Sequence, residues 1–224
     1  MHEADYPELV QEGGVLMSVQ NITTLWHQSL YRNSLWEYAL ALRAMREVFG
    51  NRRDLRVADY GYDMGFPPTL LWLGYDLTLV ELWRRAPEEE NFMLEHLRRV
   101  KERRTTCVHE PVGFWQKSLG VNGLPEEKKF DVVFSLSMLP KMGDIEGAFE
   151  DMCGLVKEKG LLFVTTSEED RELPVRQFDR KMYESLLTIA LKKGFKLLDG
   201  LVEWDWENRE NSFISMALTK GEIG

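Results

Sequence analysis

The sequence predicts an α/β fold: a doubly wound, mostly parallel seven-strand sheet with an antiparallel C-terminal hairpin and helices on both faces. Two patterns predict this class. After Gly50, short apolar runs alternate with amphipathic stretches, and that alternation builds a parallel sheet from strand–helix–strand units. Near the end, "FKLLDGLVEWDW" and "NSFISMALTK" leave no room for a crossover helix between them, so these two strands must pair antiparallel.

The composition is that of a globular protein. The chain has 224 residues, 44% of them hydrophobic, which is enough to bury one sizeable core. We divide it into a helical N-terminal extension packed on the core (residues 1–49) and an α/β domain (residues 50–224). The net charge of −9 argues against nucleic acid as a partner, because neutralising many phosphates requires a basic surface.

Neither a secretory signal nor a membrane span is predicted. The first residues, "MHEADYPELVQEGG", lack a basic region followed by an apolar core. No apolar run reaches the roughly 18 residues that a membrane span needs. Cys107 and Cys153 have no metal-ligand spacing, and we therefore expect two reduced thiols in a cytoplasmic protein without a metal site.

Helices and strands follow one another along the chain. Residues 18–49 are predicted to be helical, because Leu35, Leu42, Met45 and Phe49 form one apolar stripe. The other strand candidates are "LRVADY", "DLTLVEL", "TTCVHE", "KFDVVFSLSML" and "GLLFVTTS". Further helices are predicted at "ENFMLEHLRRVKERR", "DIEGAFEDMCGLVKEKG" and "RQFDRKMYESLLTIALKKG", the second of which Asp144 would cap and Gly160 would follow.

The stretch "RVADYGYDMGFPP" leads from the first strand into a helix. We expect the strand to end at Asp59, and Gly61 and Gly65 to let the backbone turn tightly and approach a ligand closely. The helix would cover residues 64–73, with the two prolines of this stretch near its first turn. In an open parallel sheet, ligands bind at the carboxyl ends of the strands where the strand order reverses.

Glu81 ends the second predicted strand. It lies about 20 residues beyond the glycines, which is the place of a ribose-binding carboxylate in nucleotide-binding folds. A carboxylate offers two acceptor oxygens, enough for both ribose hydroxyls. A solvated strand end is the alternative interpretation.

Together these motifs resemble the class I S-adenosylmethionine-dependent methyltransferases over residues 35–220. "VADYGYDMG" is similar to the family's Asp-x-Gly-x-Gly-x-Gly motif, and "LVEL" is similar to its second-strand acid. "FDVVFSLSMLPKMGD" and "LVKEKGLLFVTTS" are similar to its fourth strand, the following helix and its fifth strand. The closing hairpin distinguishes this family from dinucleotide-binding dehydrogenases. "SLWEYALALRAM" resembles the leader helix, often with a Trp-Glu-Tyr run, of a subset of small methyltransferases associated with sugar, lipid or secondary-metabolite pathways.

The resemblance implies a Rossmann-like fold with S-adenosylmethionine as its cofactor. Asp59 would organise the turn after the first strand, and Glu110 would end the third strand near the adenine. The alternatives are a strand-end cap for Asp59 and ordinary turn glycines after it. The full set of predicted cofactor-binding residues is Asp59, Tyr60, Gly61, Asp63, Gly65, Glu81, Leu82, Glu110 and Ser135.

Aromatic residues of the N-terminal helix form a second candidate set. They would make a lid over cofactor and substrate, and the histidine is the only member that could act as a base. An aromatic stripe at helical spacing also suits core packing, which is the alternative. The predicted substrate contacts are Trp26, His27, Tyr31, Trp36 and Tyr38.

Two departures from the family pattern bear on activity. Asp63 stands where a glycine is usual, although Asp tolerates the left-handed conformation that a tight turn requires. Pro140 and Lys141 replace the Glu-His pair that many relatives have after the fourth strand, and no catalytic residue is predicted.

The resemblance implies a methyltransferase that acts on a small-molecule, sugar-type or lipid-type acceptor. The alternative is a catalytically silent methyltransferase-like fold that serves as a binding or assembly subunit, with a protein partner or as a homo-oligomer. An NAD-linked oxidoreductase is disfavoured by the closing hairpin and by the lack of a tight Gly-x-Gly-x-x-Gly.

Overall fold

The computed structural model describes residues 31–61, 66–81, 113–116, 129–167, 180–198 and 213–221. Its helices are α1 (Tyr31–Phe49), α2 (Phe66–Leu73), α3 (Ile145–Leu155) and α4 (Arg180–Lys192), with a short 3-10 turn at Leu139–Lys141. Its strands are β1 (Arg56–Tyr60), β2 (Asp76–Glu81), β3 (Gly113–Gln116), β4 (Phe130–Leu136), β5 (Val156–Ser167), β6 (Phe195–Leu197) and β7 (Phe213–Lys220).

The strands of the described residues form one 7-stranded sheet in the order β3-β2-β1-β4-β5-β7-β6. Strand β1 pairs parallel with β2 and β4, and β4 pairs parallel with β5. Strand β7 runs antiparallel to both β5 and β6. The predicted α/β class, the seven strands and the reversed closing strands are therefore confirmed. The strand order reverses between β1 and β4, which makes their carboxyl ends the expected ligand-binding edge.

Both faces of the sheet are covered by helices. We call one of them the leader face: Val57, Leu79 and Phe134 point to it and pack with apolar residues of α1 and α2. The opposite face carries Ala58 and Val133, which pack with α3 and α4. Because successive strand residues point to alternate faces, each central strand is apolar on both sides, as a parallel sheet between helix layers requires.

The helix before β5 is shorter than predicted. Asp144 caps α3 as expected, accepting a hydrogen bond of 2.9 Å from the Gly147 N–H. However, the helix ends at Leu155, and residues 156–159 belong to β5. Lys157 Nζ lies 3.1 Å from Asp131 Oδ1, which ties this segment to β4. The amphipathic pattern of the segment suits a helix, but pairing with β4 from Phe130↔Val156 makes it a strand.

The third strand of the sheet also differs from the predicted one. Strand β3 pairs with β2 from Thr78↔Gly113 to Glu81↔Gln116, whereas "TTCVHE" was the predicted strand. Residues 105–110 lie outside the described residues. Aromatic residues favour strands as strongly as β-branched ones do, so propensity did not separate "GFWQ" from "TTCVHE". Glu110 therefore precedes β3 and does not end it, which corrects the placement on which its predicted role depended.

The remaining boundaries agree with the sequence where they are described. Strand β1 ends at Tyr60, one position after the expected end, and Pro67 and Pro68 lie in the first turn of α2. The predicted helix "ENFMLEHLRRVKERR" and residues 18–30 lie outside the described residues. Among the helices that the structure describes, none is long and apolar enough to cross a membrane.

We expect Gly160→Ala to destabilise the protein. A Cβ added at Gly160 would lie 2.8 Å from the Lys157 carbonyl oxygen and 2.9 Å from that of Asp131. Since both neighbours are backbone atoms, the strand must shift, at a cost of about 1–3 kcal/mol.

Gly154→Ala is the matched control, because a Cβ at this exposed position of α3 meets nothing within 4 Å. It should raise the free energy of unfolding by roughly 0.5–1 kcal/mol through helix propensity. Urea denaturation of both variants measures the difference. Equal stability of the two would contradict the packing described around Gly160.

Candidate functional site

The turn after β1 starts with a glycine in the left-handed region. Gly61 has φ +73, and its N–H donates a 2.9 Å hydrogen bond to the Val80 carbonyl oxygen. Glycine adopts this conformation without the steric penalty that a Cβ brings. The left-handed glycine that the predicted turn requires is thus present, and it is bonded to the end of β2. Asp63 and Gly65 lie outside the described residues.

Asp59 is a buried carboxylate at the end of β1. Its exposed fraction is 1%, and Phe134 is its register partner in the neighbouring strand β4. Strand alternation places it on the leader face, as it does Val57 two positions earlier. Burying a carboxylate is costly unless hydrogen bonds or a cation compensate. The burial of Asp59 fits both the predicted organiser of the turn and the alternative, a strand-end cap.

The side chains of Tyr60 and Ser135 point to the opposite face of the sheet, away from α1. The Tyr60 ring packs on the opposite face with Val80 and Met142, and burial, with the nearby charge of Asp151, raises the pKa of its hydroxyl. A ligand contact at Tyr60 would therefore use its backbone. Ser135 is fully buried, and its Oγ has no hydrogen-bond partner among the described residues.

The other predicted cofactor residues lie at or beyond the end of β2. Glu81 is the last residue of β2, and its register partner Gln116 is the last residue of β3. The carboxyl ends of β1, β2, β3 and β4 therefore meet at one edge of the sheet, which we call the carboxyl edge. Leu82 and Glu110 lie outside the described residues.

Glu37 of α1 is a buried acidic residue near the carboxyl edge that the sequence patterns did not single out. Its side chain is 1% exposed and accepts a hydrogen bond from the Ser137 hydroxyl. It lies on the same helical stripe as the buried Ala41 and Met45. A carboxylate on the apolar stripe of a helix is the signal that would have identified it, because such residues are almost never fully buried without a partner.

Ser137 connects three elements at the carboxyl edge. It follows β4 with φ +53, and its N–H donates hydrogen bonds of 3.1 Å to both the carbonyl oxygen and Oγ1 of Thr165 in β5. Its hydroxyl donates to Glu37 of α1. A left-handed serine is uncommon, and it persists only where its surroundings hold it. Ser137 thus fixes the leader helix to the ends of β4 and β5.

The aromatic set predicted as a lid is described in part. Tyr38 is 2% exposed and stacks on Phe66 with 4.9 Å between ring centroids. Phe66 in turn meets Phe134 edge-on at 5.1 Å. The alternative of core packing therefore describes Tyr38. Tyr31 lies on α1. Trp36 is also on this helix, and the structure does not describe the side chains of Tyr31 and Trp36. Trp26 and His27 lie outside the described residues.

The residues that replace the Glu-His pair have a structural role. Leu139 and Pro140 are buried in the 3-10 turn after β4, and Lys141 is exposed. The side chain of Pro140 has no polar group, so it can neither donate nor accept a proton. The described part of the chain brings together no group of three or more His, Cys, Asp or Glu side chains that could hold a metal ion.

Two buried acidic side chains lie near the carboxyl edge of the sheet. Among the described residues, Asp59 and Glu37 are the only buried acidic side chains. Asp59 points to the leader face, and Glu37 comes from the helix that packs on that face. Burying two carboxyl groups in one apolar region has a desolvation cost that hydrogen bonds or a cation must offset.

A doubly wound sheet with a reversed last strand and a glycine turn after β1 defines the class I methyltransferase fold. The structure is similar to the N-methyltransferase NodS from Bradyrhizobium japonicum in complex with S-adenosyl-L-homocysteine: TM-score 0.59, 14% identity, 88% of this chain and 92% of that chain covered. A TehB-like S-adenosylmethionine-dependent methyltransferase from Corynebacterium glutamicum has TM-score 0.55 and 13% identity, with 95% of this chain and 99% of that chain covered. The [4+2]-cyclase SpnF has TM-score 0.54 and 16% identity, with 83% and 82% covered.

These likenesses confirm the predicted fold. At such identities they establish the fold alone, and the chemistry must be argued from the residues. No family model matches the sequence, and neither does any curated protein.

We expect Ser137→Ala to be less stable than Ser137→Gly. Both variants remove the hydroxyl that bonds the buried Glu37, at a cost of about 1–3 kcal/mol. Alanine must also keep φ +53, which costs roughly 1–2 kcal/mol more, whereas glycine adopts it freely. Chemical denaturation should place Ser137→Gly about 1 kcal/mol above Ser137→Ala. The reverse order would show that residue 137 is not held left-handed.

Proposed function

We propose that the protein binds S-adenosylmethionine at the carboxyl edge between β1 and β4 and transfers its methyl group to a small-molecule acceptor. One observation carries the proposal: a buried Asp59 is followed by a left-handed Gly61 at the point where the strand order reverses. NodS, a protein of the same fold, is described in complex with S-adenosyl-L-homocysteine, which supports the choice of cofactor.

The residues at this edge suit the chemistry of that cofactor. S-adenosylmethionine carries an ammonium, a sulfonium and a ribose diol. The buried carboxylates match the cationic groups, and Glu81 at the end of β2 offers two acceptor oxygens to the diol. Asp63, Gly65, Leu82 and Ser135 stay predicted contacts, as does Tyr60 through its backbone. The predicted role of Glu110 depended on a place at the end of the third strand that this residue does not have.

The protein's contribution to the reaction would be alignment. The bound cofactor supplies a methyl group that its sulfonium already activates, so the chain has to hold the nucleophile in line and exclude water. Helix α1 suits this task because Tyr38 and Glu37 fix it to α2 and to the end of β4. No strong base is required, which is compatible with a buried Pro140 where relatives have the Glu-His pair.

The proposal also includes the class of methyl acceptor and the cellular location of the protein. A net charge of −9 favours a small molecule over nucleic acid. The resemblance of the leader helix favours a sugar-type or lipid-type acceptor. A cytoplasmic location is proposed on the low cysteine content of the sequence.

A catalytically silent subunit is the second candidate. SpnF is described as a [4+2]-cyclase and has a similar fold, so the fold by itself does not decide the reaction. The buried Pro140 also favours this alternative, because it removes a functional group from the end of β4.

Calorimetric titration with S-adenosylmethionine, S-adenosylhomocysteine and NAD in parallel separates these functions. We expect both adenosyl ligands to bind and NAD not to bind. S-adenosylhomocysteine at about 100 times its dissociation constant should add roughly 2.7 kcal/mol to the free energy of unfolding. No binding at millimolar concentration would favour the silent subunit, and NAD binding would favour an oxidoreductase.

Gly61→Ala tests the position of the cofactor. The substitution forces a Cβ into a residue with φ +73, which should cost about 1–2 kcal/mol of stability and weaken S-adenosylhomocysteine binding roughly tenfold, because the backbone can no longer approach the ligand closely.

Gly50→Ala is its control, since Gly50 has φ +62 at the end of α1 and a Cβ there meets nothing within 4 Å. It should lose similar stability and keep its affinity for the ligand. If calorimetry finds the same affinity for both variants, the cofactor does not bind beside Gly61.

A further inference from the structure

Ser137 has a backbone conformation that favours glycine. It follows β4 directly and has φ +53, in the left-handed region that a side chain makes unfavourable. Among the described residues, the other non-glycine residue with positive φ is Lys159, which is exposed. Ser137 is half-buried and hydrogen-bonded. Residues held in such conformations cluster at functional sites, so the conformation calls for a role that glycine could not perform.

The backbone of Ser137 is fixed to the middle of the sheet. Its N–H donates hydrogen bonds of 3.1 Å to both the carbonyl oxygen and Oγ1 of Thr165. Thr165 is fully buried in β5, where it pairs with Leu136 of β4 and with Ser215 of β7. The residue that follows β4 thus has a rigid support, as a group that positions another element requires.

The hydroxyl of Ser137 is what glycine would lack, and it reaches the leader helix. It donates a hydrogen bond to Oε1 of the buried Glu37 in α1. This contact needs no charge on Glu37, because a carboxyl group accepts hydrogen bonds in both protonation states. The neighbouring α1 residues Tyr38, Ala41 and Met45 pack through apolar contacts, which are not directional. The hydrogen bond is directional, so it fixes the amino-terminal half of α1 relative to the end of β4.

The end of β4 borders the proposed cofactor site. Strand β4 ends at Leu136, and it neighbours β1 where the strand order reverses. A ligand at this reversal lies against the carboxyl ends of both strands. A ligand that contacts the end of β4 favours the conformation of Ser137 to which it binds. The same conformation directs the hydroxyl to Glu37, so a ligand can act on α1 without touching Glu37.

We propose that Ser137 is a positioning residue that connects the cofactor site to α1. This inference rests on the proposed function, and it adds a consequence of cofactor binding: the bound cofactor fixes Ser137, and Ser137 holds the amino-terminal half of α1 on the sheet. Such a coupling is reciprocal, so a firmly held α1 also strengthens cofactor binding. Typical couplings of this kind change an equilibrium about fivefold or more.

Hydrogen exchange of the α1 amides tests this coupling. The amides of residues 37–41 are followed in the full-length protein, with and without saturating S-adenosylhomocysteine. We expect the ligand to slow their exchange at least about fivefold in the wild type and less than about twofold in Ser137→Gly, which keeps φ +53 and loses the hydroxyl. A merely structural role of Ser137 would speed exchange with and without ligand alike and leave the ratio unchanged. Amides of β4 report the general stabilisation by the ligand.

Ser185→Ala is the matched control. The Ser185 hydroxyl of α4 also donates to a carboxyl group, that of Glu146 in α3, at the exposed surface. The substitution removes the same kind of hydrogen bond between α3 and α4 without changing the contact of α1 with β4, and alanine suits a helix. This variant should keep the full ligand-induced slowing of exchange in α1.

Glu37→Gln and Glu37→Ala form a second pair, which decides if Ser137→Gly does not fold. Glutamine keeps an oxygen that can accept from Ser137 and should keep the slowing, whereas alanine removes the acceptor and should lose it. Three results overturn the role of Ser137 and leave the cofactor site standing: a wild type that binds the ligand without slowed exchange in α1, a Ser137→Gly variant that keeps the slowing, or two Glu37 variants that behave alike. Failure of the wild type to bind S-adenosylhomocysteine overturns the cofactor site and this inference together.

Discussion

Strand β4 is the element on which the rest of the structure depends. It pairs with β1 on one side and β5 on the other, and Phe134 lies fully buried at its centre, in ring contact with Phe66 and Phe163. At its amino end Asp131 accepts a 2.8 Å hydrogen bond from the Arg56 N–H and pairs with Lys157. These contacts set the register of β1 and β5, and that register aligns the strand ends that form the carboxyl edge.

Local patterns in the sequence predicted much of this fold because they report local physics. Alternating apolar runs predicted the strands, and Asp59 with Gly61 predicted the turn, since a tight turn needs a residue free to adopt positive φ. The end of α3 was missed because Val156 pairs with Phe130 of β4, which is distant in sequence. The third strand was missed because two neighbouring segments have similar strand propensity.

The structure at the end of β1 was predicted, whereas the contacts at the end of β4 were not, because only the first involves residues that are close in sequence. Asp59 and Gly61 belong to one continuous motif, whereas Glu37 and Ser137 are 100 residues apart in the chain. Periodicity places Glu37 on the inward stripe of α1, but it does not say which strand end that stripe meets. Tyr38 shows the converse: the aromatic pattern suited a lid and a core equally, and only the stack on Phe66 distinguishes them.

Among the described residues, the buried carboxyl groups lie on one side of the sheet only. On the opposite face, burial raises the pKa of the Cys153 thiol and of the Tyr183 hydroxyl to about 12 in each case. Both groups therefore stay neutral near pH 7, and their burial requires no charge to be taken out of water. The leader face buries Tyr38 and Tyr75, and it also buries the carboxyl groups of Asp59 and Glu37. A carboxyl group in its charged form is far more costly to remove from water than a neutral hydroxyl. Such a cost is offset when the group interacts with a bound cation, and both carboxylates lie where strand topology directs a ligand. The two buried acidic side chains of the described residues thus lie at the edge where we propose that the cofactor binds.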